Sequence, residues 1–106
     1  MTQKKTQKKE RYINVTGVWK LVKADTVVNE LGLDLFIHRP FGKRIGWVVT
    51  EAQTGMRLSP VISTQDVAIL KSIQRLERYE QENGPGSLSK FIAQRISVGG
   101  LSPDYR

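Results

Sequence analysis

Residues 33–51 read LDLFIHRPFGKRIGWVVTE, and this stretch decides the fold. Leu33, Leu35 and Ile37 alternate with Asp34, Phe36 and His38, the period-2 pattern of a strand with two distinct faces. Pro40-Phe41-Gly42 interrupts the pattern, and residues 45–51 resume it as a second strand.

Working toward the C-terminus, residues 52–55 (AQTG) form a turn, with Gly55 able to take positive φ. MRLSPV at 56–61 reads as a further strand, with Met56 and Leu58 on one face; Pro60 ends it or places it at a sheet edge. Ser63 followed three residues later by Asp66 opens a helix predicted over 65–82. Its apolar residues Ile69, Leu70, Ile73, Leu76 and Tyr79 fall at helical spacing and form one buried stripe. Asn83-Gly84-Pro85-Gly86 breaks that helix, and Ser87 starts a second through about Ser97, with Leu88, Phe91, Ile92 and Ile96 apolar. Toward the N-terminus, INVTGVWKLVK at 13–23 is rich in β-branched residues and reads as one strand, with Gly17 marking a bulge. Val15, Trp19 and Leu21 share one of its faces, Val18 and Val22 the other. Residues 25–31 read either as a short helical turn capped by Asp25 or Thr26, or as a longer strand through Val28.

Strands first and helices after predict an α+β fold: a small antiparallel sheet of about four strands, with one long and one short C-terminal helix packed on one face. Trp19, Phe36 and Trp47 belong either to the core or to the open face. With 106 residues, 39% of them hydrophobic, the chain suffices for one domain. Residues 1–11 are predicted to be a disordered basic arm, 12–98 a single α+β domain and 99–106 a C-terminal tail. The layout resembles that of the single-strand-binding coactivator and whirly-type domains. GMRLSPVISTQDVAILKSI at 55–73 is similar to the final strand and helix start of that group. The similarity spans under a fifth of the chain and implies a fold-level analogy, with no binding residue carried over.

The chain has no cysteine, which excludes disulfides, thiolate metal sites and a cysteine nucleophile and fits a reducing, cytoplasmic location. No apolar run reaches the roughly 20 residues that span a bilayer, so no membrane partner is expected. His38, the single histidine, is separated from Asp34 by roughly 13 Å along a strand, too far for a hydrogen bond. No nucleophile elbow, phosphate loop or metal-ligand spacing is present, so the chain is predicted to be non-enzymatic and without cofactor or metal.

The net charge is +7, and its placement is uneven. Lys4, Lys5, Lys8, Lys9 and Arg11 against Glu10 put +4 in the first eleven residues. Arg39, Lys43 and Arg44 surround Phe41 in the loop between two strands, and Arg57 follows close by. Cations contact phosphate and an exposed aromatic stacks on a base, so these ten residues form the candidate nucleic-acid-binding set, with single- and double-stranded partners both open. The helix over 65–82 carries charge of both signs and is the poorer phosphate binder. The expected function is that of a nucleic-acid-binding accessory protein. The alternative is a protein-binding modulator or inhibitor of phage or plasmid kind, docked on a larger nucleic-acid-processing protein, since an acidic protein surface attracts the same charge. A homodimer through an edge strand is a further possibility.

Overall fold

A computed structural model describes residues 9–106. Lys4, Lys5 and Lys8 of the basic arm lie outside the described residues. Five strands, β1 (Lys9–Val15), β2 (Val18–Val27), β3 (Leu35–His38), β4 (Val48–Glu51) and β5 (Met56–Arg57), form an antiparallel sheet in sequence order. Helices α1 (Gln65–Asn83) and α2 (Ser87–Gly99) follow, and a 3₁₀ turn at Pro103–Tyr105 closes the chain.

The α+β class holds, with one strand more than expected. The stretch 13–23 is not a single bulged strand. It folds back at Thr16-Gly17, where Val15 pairs with Val18 across a two-residue turn. Both turn residues have positive φ, 49° and 89°, which is the type I′ geometry that matches the twist of paired strands. The Asn14 side-chain oxygen accepts the Gly17 N–H at 2.7 Å and secures the turn. Val15 therefore shares a face with Val18 rather than with Trp19. Of the two readings for residues 25–31, the strand is the one present: β2 runs to Val27, paired with Leu35. Pairing also extends back to Lys9, opposite Ala24, so the strand begins three residues before Tyr12.

Each face of the sheet has its own apolar cluster. Val27, Leu35, Ile37 and Val49 pack under the helices against Ala68, Leu76 and Leu88. On the opposite face Ile13, Ala24, Phe36 and Ala52 form a second cluster, in which Phe36 is completely buried. A flat sheet would leave that face in water. Here the sheet curls until the Asn14 N–H of β1 donates to the Gly55 carbonyl, 3.0 Å away, in the turn before β5. Phe36 is thus core on the concave side, and burying such a ring is worth about 1.5–3 kcal/mol.

In α1 the buried residues are Ala68, Ser72 and Leu76, one turn apart, flanked by half-buried Ile69, Ile73 and Tyr79. Leu70, expected in that stripe, is 55% exposed. The cap is Thr64, whose hydroxyl accepts the Val67 N–H, and not Ser63. The carboxylate of Glu80 holds the corner between the helices. It accepts the N–H groups of Gly86 and Leu88 and the Ser87 hydroxyl, and these bonds keep it below its ordinary pKa. The C-terminal segment is docked onto the sheet: Ser102 N–H donates to the Gln53 carbonyl at 2.9 Å, and Asp104 accepts the Tyr12 N–H at 3.0 Å.

Candidate functional site

The concave face opens at one end into a groove of about 610 Å³. Ile13 and Val15 from β1, His38 from β3, and Val48 and Thr50 from β4 line it from the sheet. Pro40, Phe41, Lys43 and Ile45 line it from the β3–β4 loop, and Arg57 and Val61 from β5 and the segment after it. A neighbouring groove of about 380 Å³ lies on the other side of the loop, where Leu21, Lys23, Arg39 and Trp47 join Phe41 and Lys43. The loop is therefore a ridge between two grooves, and neither groove is lined by a carboxylate.

Local sequence shapes this ridge. The Lys43 N–H donates to the Pro40 carbonyl at 2.9 Å, closing a tight turn that needs positive φ at its third position, which Gly42 supplies at 75°. Phe41 sits inside the turn, 46% exposed, and Lys20 of β2 places its ammonium 5.7 Å from the ring centroid. At the base of the loop the Arg39 guanidinium lies 3.7 Å from the Trp47 ring centroid and donates to the Gly46 carbonyl at 3.3 Å. Trp47 is half-buried and also exchanges two backbone hydrogen bonds with Ile62.

The structure brings four of the candidate residues together: Phe41 and Lys43 line both grooves, Arg39 one and Arg57 the other. Arg44 is exposed on the same loop and lines neither. Lys9 is exposed at the start of β1. Arg11, expected to serve phosphate as part of a free arm, is committed internally. Its guanidinium pairs with Asp34 at 2.9 Å and Asp104 at 3.3 Å, and lies 4.8 Å from the Phe36 ring centroid. Burial alone would lower the Arg11 pKa, but the two carboxylates outweigh it and leave it raised. Burial likewise pushes Asp34 up, and hydrogen bonds from Arg11 and Tyr105 more than offset this, leaving it lowered. Tyr105, desolvated and donating to Asp34, is raised to about 12.

His38 on the groove floor is 3% exposed and engaged at both ring nitrogens. Nδ1 lies 2.7 Å from the Arg39 carbonyl, which only accepts, so Nδ1 carries the proton. Nε2 then accepts the Thr50 hydroxyl at 2.7 Å in the neutral ring. Burial lowers the His38 pKa, which favours that neutral form near pH 7. Asp34, on the same strand face, is turned to Arg11 and Tyr105 instead.

Sequence reading missed Lys20 and Lys23. Both lie on β2, away from the obvious basic runs, and only the pairing of strands carries them beside residues 39–43. Among the described residues no three His, Asp or Glu side chains gather in a metal-ligating group, and no helix is long and apolar enough to cross a membrane. No family model matches the chain, and neither the curated proteins nor the solved structures contain a significant match to it.

Proposed function

We propose that this chain is a small non-enzymatic nucleic-acid-binding accessory protein that holds a single strand against its β3–β4 ridge. The observation that carries this reading is the company Phe41 keeps. A half-exposed aromatic ring stands between two grooves with Lys20, Lys23, Arg39, Lys43 and Arg57 around it and no acid lining either groove. Base faces are apolar and stack on such rings, and backbone phosphates seek the surrounding cations. A duplex hides its base faces, so the apolar walls formed by Ile13, Val15, Val48 and Val61 favour the single strand. The N-terminal lysines Lys4, Lys5 and Lys8 add attraction at longer range under this reading.

Fluorescence anisotropy with labelled single- and double-stranded probes tests it. Neutralising three phosphate contacts in Lys43→Gln/Arg44→Gln/Arg57→Gln lowers the slope of log K against log salt by about 2, at ~0.7 per contact for single strands. No binding at low salt, or binding indifferent to the triple change, defeats the proposal. Ile45 is 82% and Val61 48% exposed at the groove edge, and these apolar contacts favour a second reading, docking on an acidic, nucleic-acid-processing protein. A stoichiometric protein partner retained through nuclease treatment, with no direct probe binding, selects that reading.

A further inference from the structure

We propose that Lys71, Arg75 and Arg78 of α1 form a second phosphate-contacting site that carries a bound single strand across the edge of the sheet. The inference rests on the nucleic-acid reading above and adds a surface that reading does not include.

By composition α1 is nearly balanced in charge, but its charges are sorted around the axis. Lys71, Arg75 and Arg78 are spaced i, i+4 and i+7, which places them on one side of the helix. They line a groove of about 360 Å³ against Leu58, Ser59 and Pro60, and no acid lines it. At 100° per residue Asp66, Glu77 and Glu80 project from other sides, and Glu80 is occupied with the start of α2. Glu82 stands at the far end of the basic row, beyond Arg78.

The hold on Arg75 marks the groove as a site for an anion rather than a solvated face. Arg75 donates from Nη1 to the Leu58 carbonyl at 3.2 Å, which fixes the guanidinium over the sheet edge with its other donors unused among the described residues. Ser59 is 4% exposed with its hydroxyl shut off from solvent, so it shapes the groove rather than contacting a ligand. A phosphate oxygen in this groove supplies an acceptor for the free guanidinium donors.

The placement is continuous with the first site. Arg57 and Val61 line the concave groove, while Leu58, Ser59 and Pro60 between them line this one. A single extended segment separates the two, a step well within the roughly 4–16 nucleotides that a small single-strand-binding domain covers.

The test uses Lys71→Gln/Arg78→Gln, two exposed side chains with no hydrogen bond or ion pair among the described residues, so an unchanged melting temperature is expected. Single-stranded probes of about 5 and about 15 nucleotides are titrated against salt. For the longer probe the variant lowers the salt slope by about 1.4, which corresponds to about 25-fold weaker binding at 0.1 M salt if counterion release is the whole contribution. The short probe, held by the concave groove, binds as to the unaltered protein. If Lys43→Gln/Arg57→Gln reduces the slope but Lys71→Gln/Arg78→Gln does not, the second site is refuted and the first stands. If no probe binds the unaltered protein, both fail together. If a polyglutamate peptide of equal charge binds as tightly as the long probe and loses as much in the α1 variant, the phosphate assignment is overturned in favour of an acidic protein.

Discussion

Gly55→Ala tests the closure of the sheet on which the groove depends. Gly55 has φ of 69°, a left-handed conformation that costs an L-residue about 1–2 kcal/mol. A methyl group there would stand 2.8 Å from the Asn14 backbone nitrogen and 2.4 Å from Trp19 Cζ3. The indole edge can swing aside, but the Asn14 nitrogen belongs to β1, and moving it breaks the 3.0 Å hydrogen bond to Gly55 that closes the curl. That bond is worth about 0.5–1.5 kcal/mol net, and backbone strain and lost packing bring the total to about 2–4 kcal/mol. Gly32→Ala is the matched control, with φ of 74° and nothing within 4 Å of its added methyl, so it pays the conformational cost alone, about 1–2 kcal/mol. Urea melts followed by tryptophan fluorescence compare the two, since Trp19 lies at the perturbed contact. Equal destabilisation of the two variants would falsify the reasoning, because the Asn14–Gly55 approach would then contribute nothing to the native state. With the curl opened, probe binding in the concave groove falls as well.

Three other perturbations separate the structural from the functional roles. Phe41→Ala weakens single-stranded probe binding by about 1–3 kcal/mol, the range for one stacked base; its melting temperature stays near that of the unaltered protein, and a matching loss of stability would place the ring in the core. His38 is buried with a lowered pKa, while in the unfolded chain it titrates near 6.5, so the unfolded state takes up the proton first. Stability therefore falls as pH drops below about 6.5, and His38→Gln flattens that dependence; melts at matched ionic strength between about pH 7.5 and 5.5 show it, and identical profiles count against the buried neutral ring. Arg11→Gln strips Asp34 and Asp104 of their shared cation and costs about 1.5–3 kcal/mol, the range for hydrogen bonds to charged groups. Hydrogen exchange at Ser102 and Tyr105 then accelerates, and unaltered protection there excludes Arg11 as the clasp of the C-terminal segment.

The elements legible in the sequence are those specified by contiguous patterning. The alternation of Leu35 and Ile37 against Phe36 and His38 assigned both faces of β3 correctly, and the spacing around Leu76 located α1. The Thr16-Gly17 turn was hidden because type I′ turns favour Asn-Gly or Asp-Gly, and a β-branched residue at positive φ is an outlier. Arg11 looked free because its partners lie 23 and 93 residues away, a separation no local pattern records. Alternation does not decide between core and open face for Phe36, because it describes a flat sheet, and the curl that buries the ring depends on a contact between β1 and the turn before β5. For α1 the signal was present: a helical projection of Lys71, Arg75 and Arg78 separates them from three of the acids, whereas summing the charge conceals it.

The fold also alters what the net charge means. Of the chain's ten acidic residues, Asp34 and Asp104 serve Arg11 and the C-terminal segment, Glu51 caps the turn that precedes β5, and Glu80 caps α2. Their charge is spent on internal donors, while Lys20, Lys43, Arg44, Arg57, Lys71 and Arg78 are exposed and without ion pairs among the described residues. The net charge remains +7, but these cations face solvent while those four acids bond within the fold. The placement of the cations bears on the partner. Arg57 and Lys43 look into the concave groove, Arg39 and Lys23 lie on the other side of the ridge, and Lys71, Arg75 and Arg78 lie across the 58–60 segment. A rigid acidic patch docks against one of these surfaces at a time. A flexible chain with a charge at every unit can bend to follow all three, and each contact it adds releases counterions. The distribution of cations, more than their number, is what favours a single-stranded polyanion over an acidic protein.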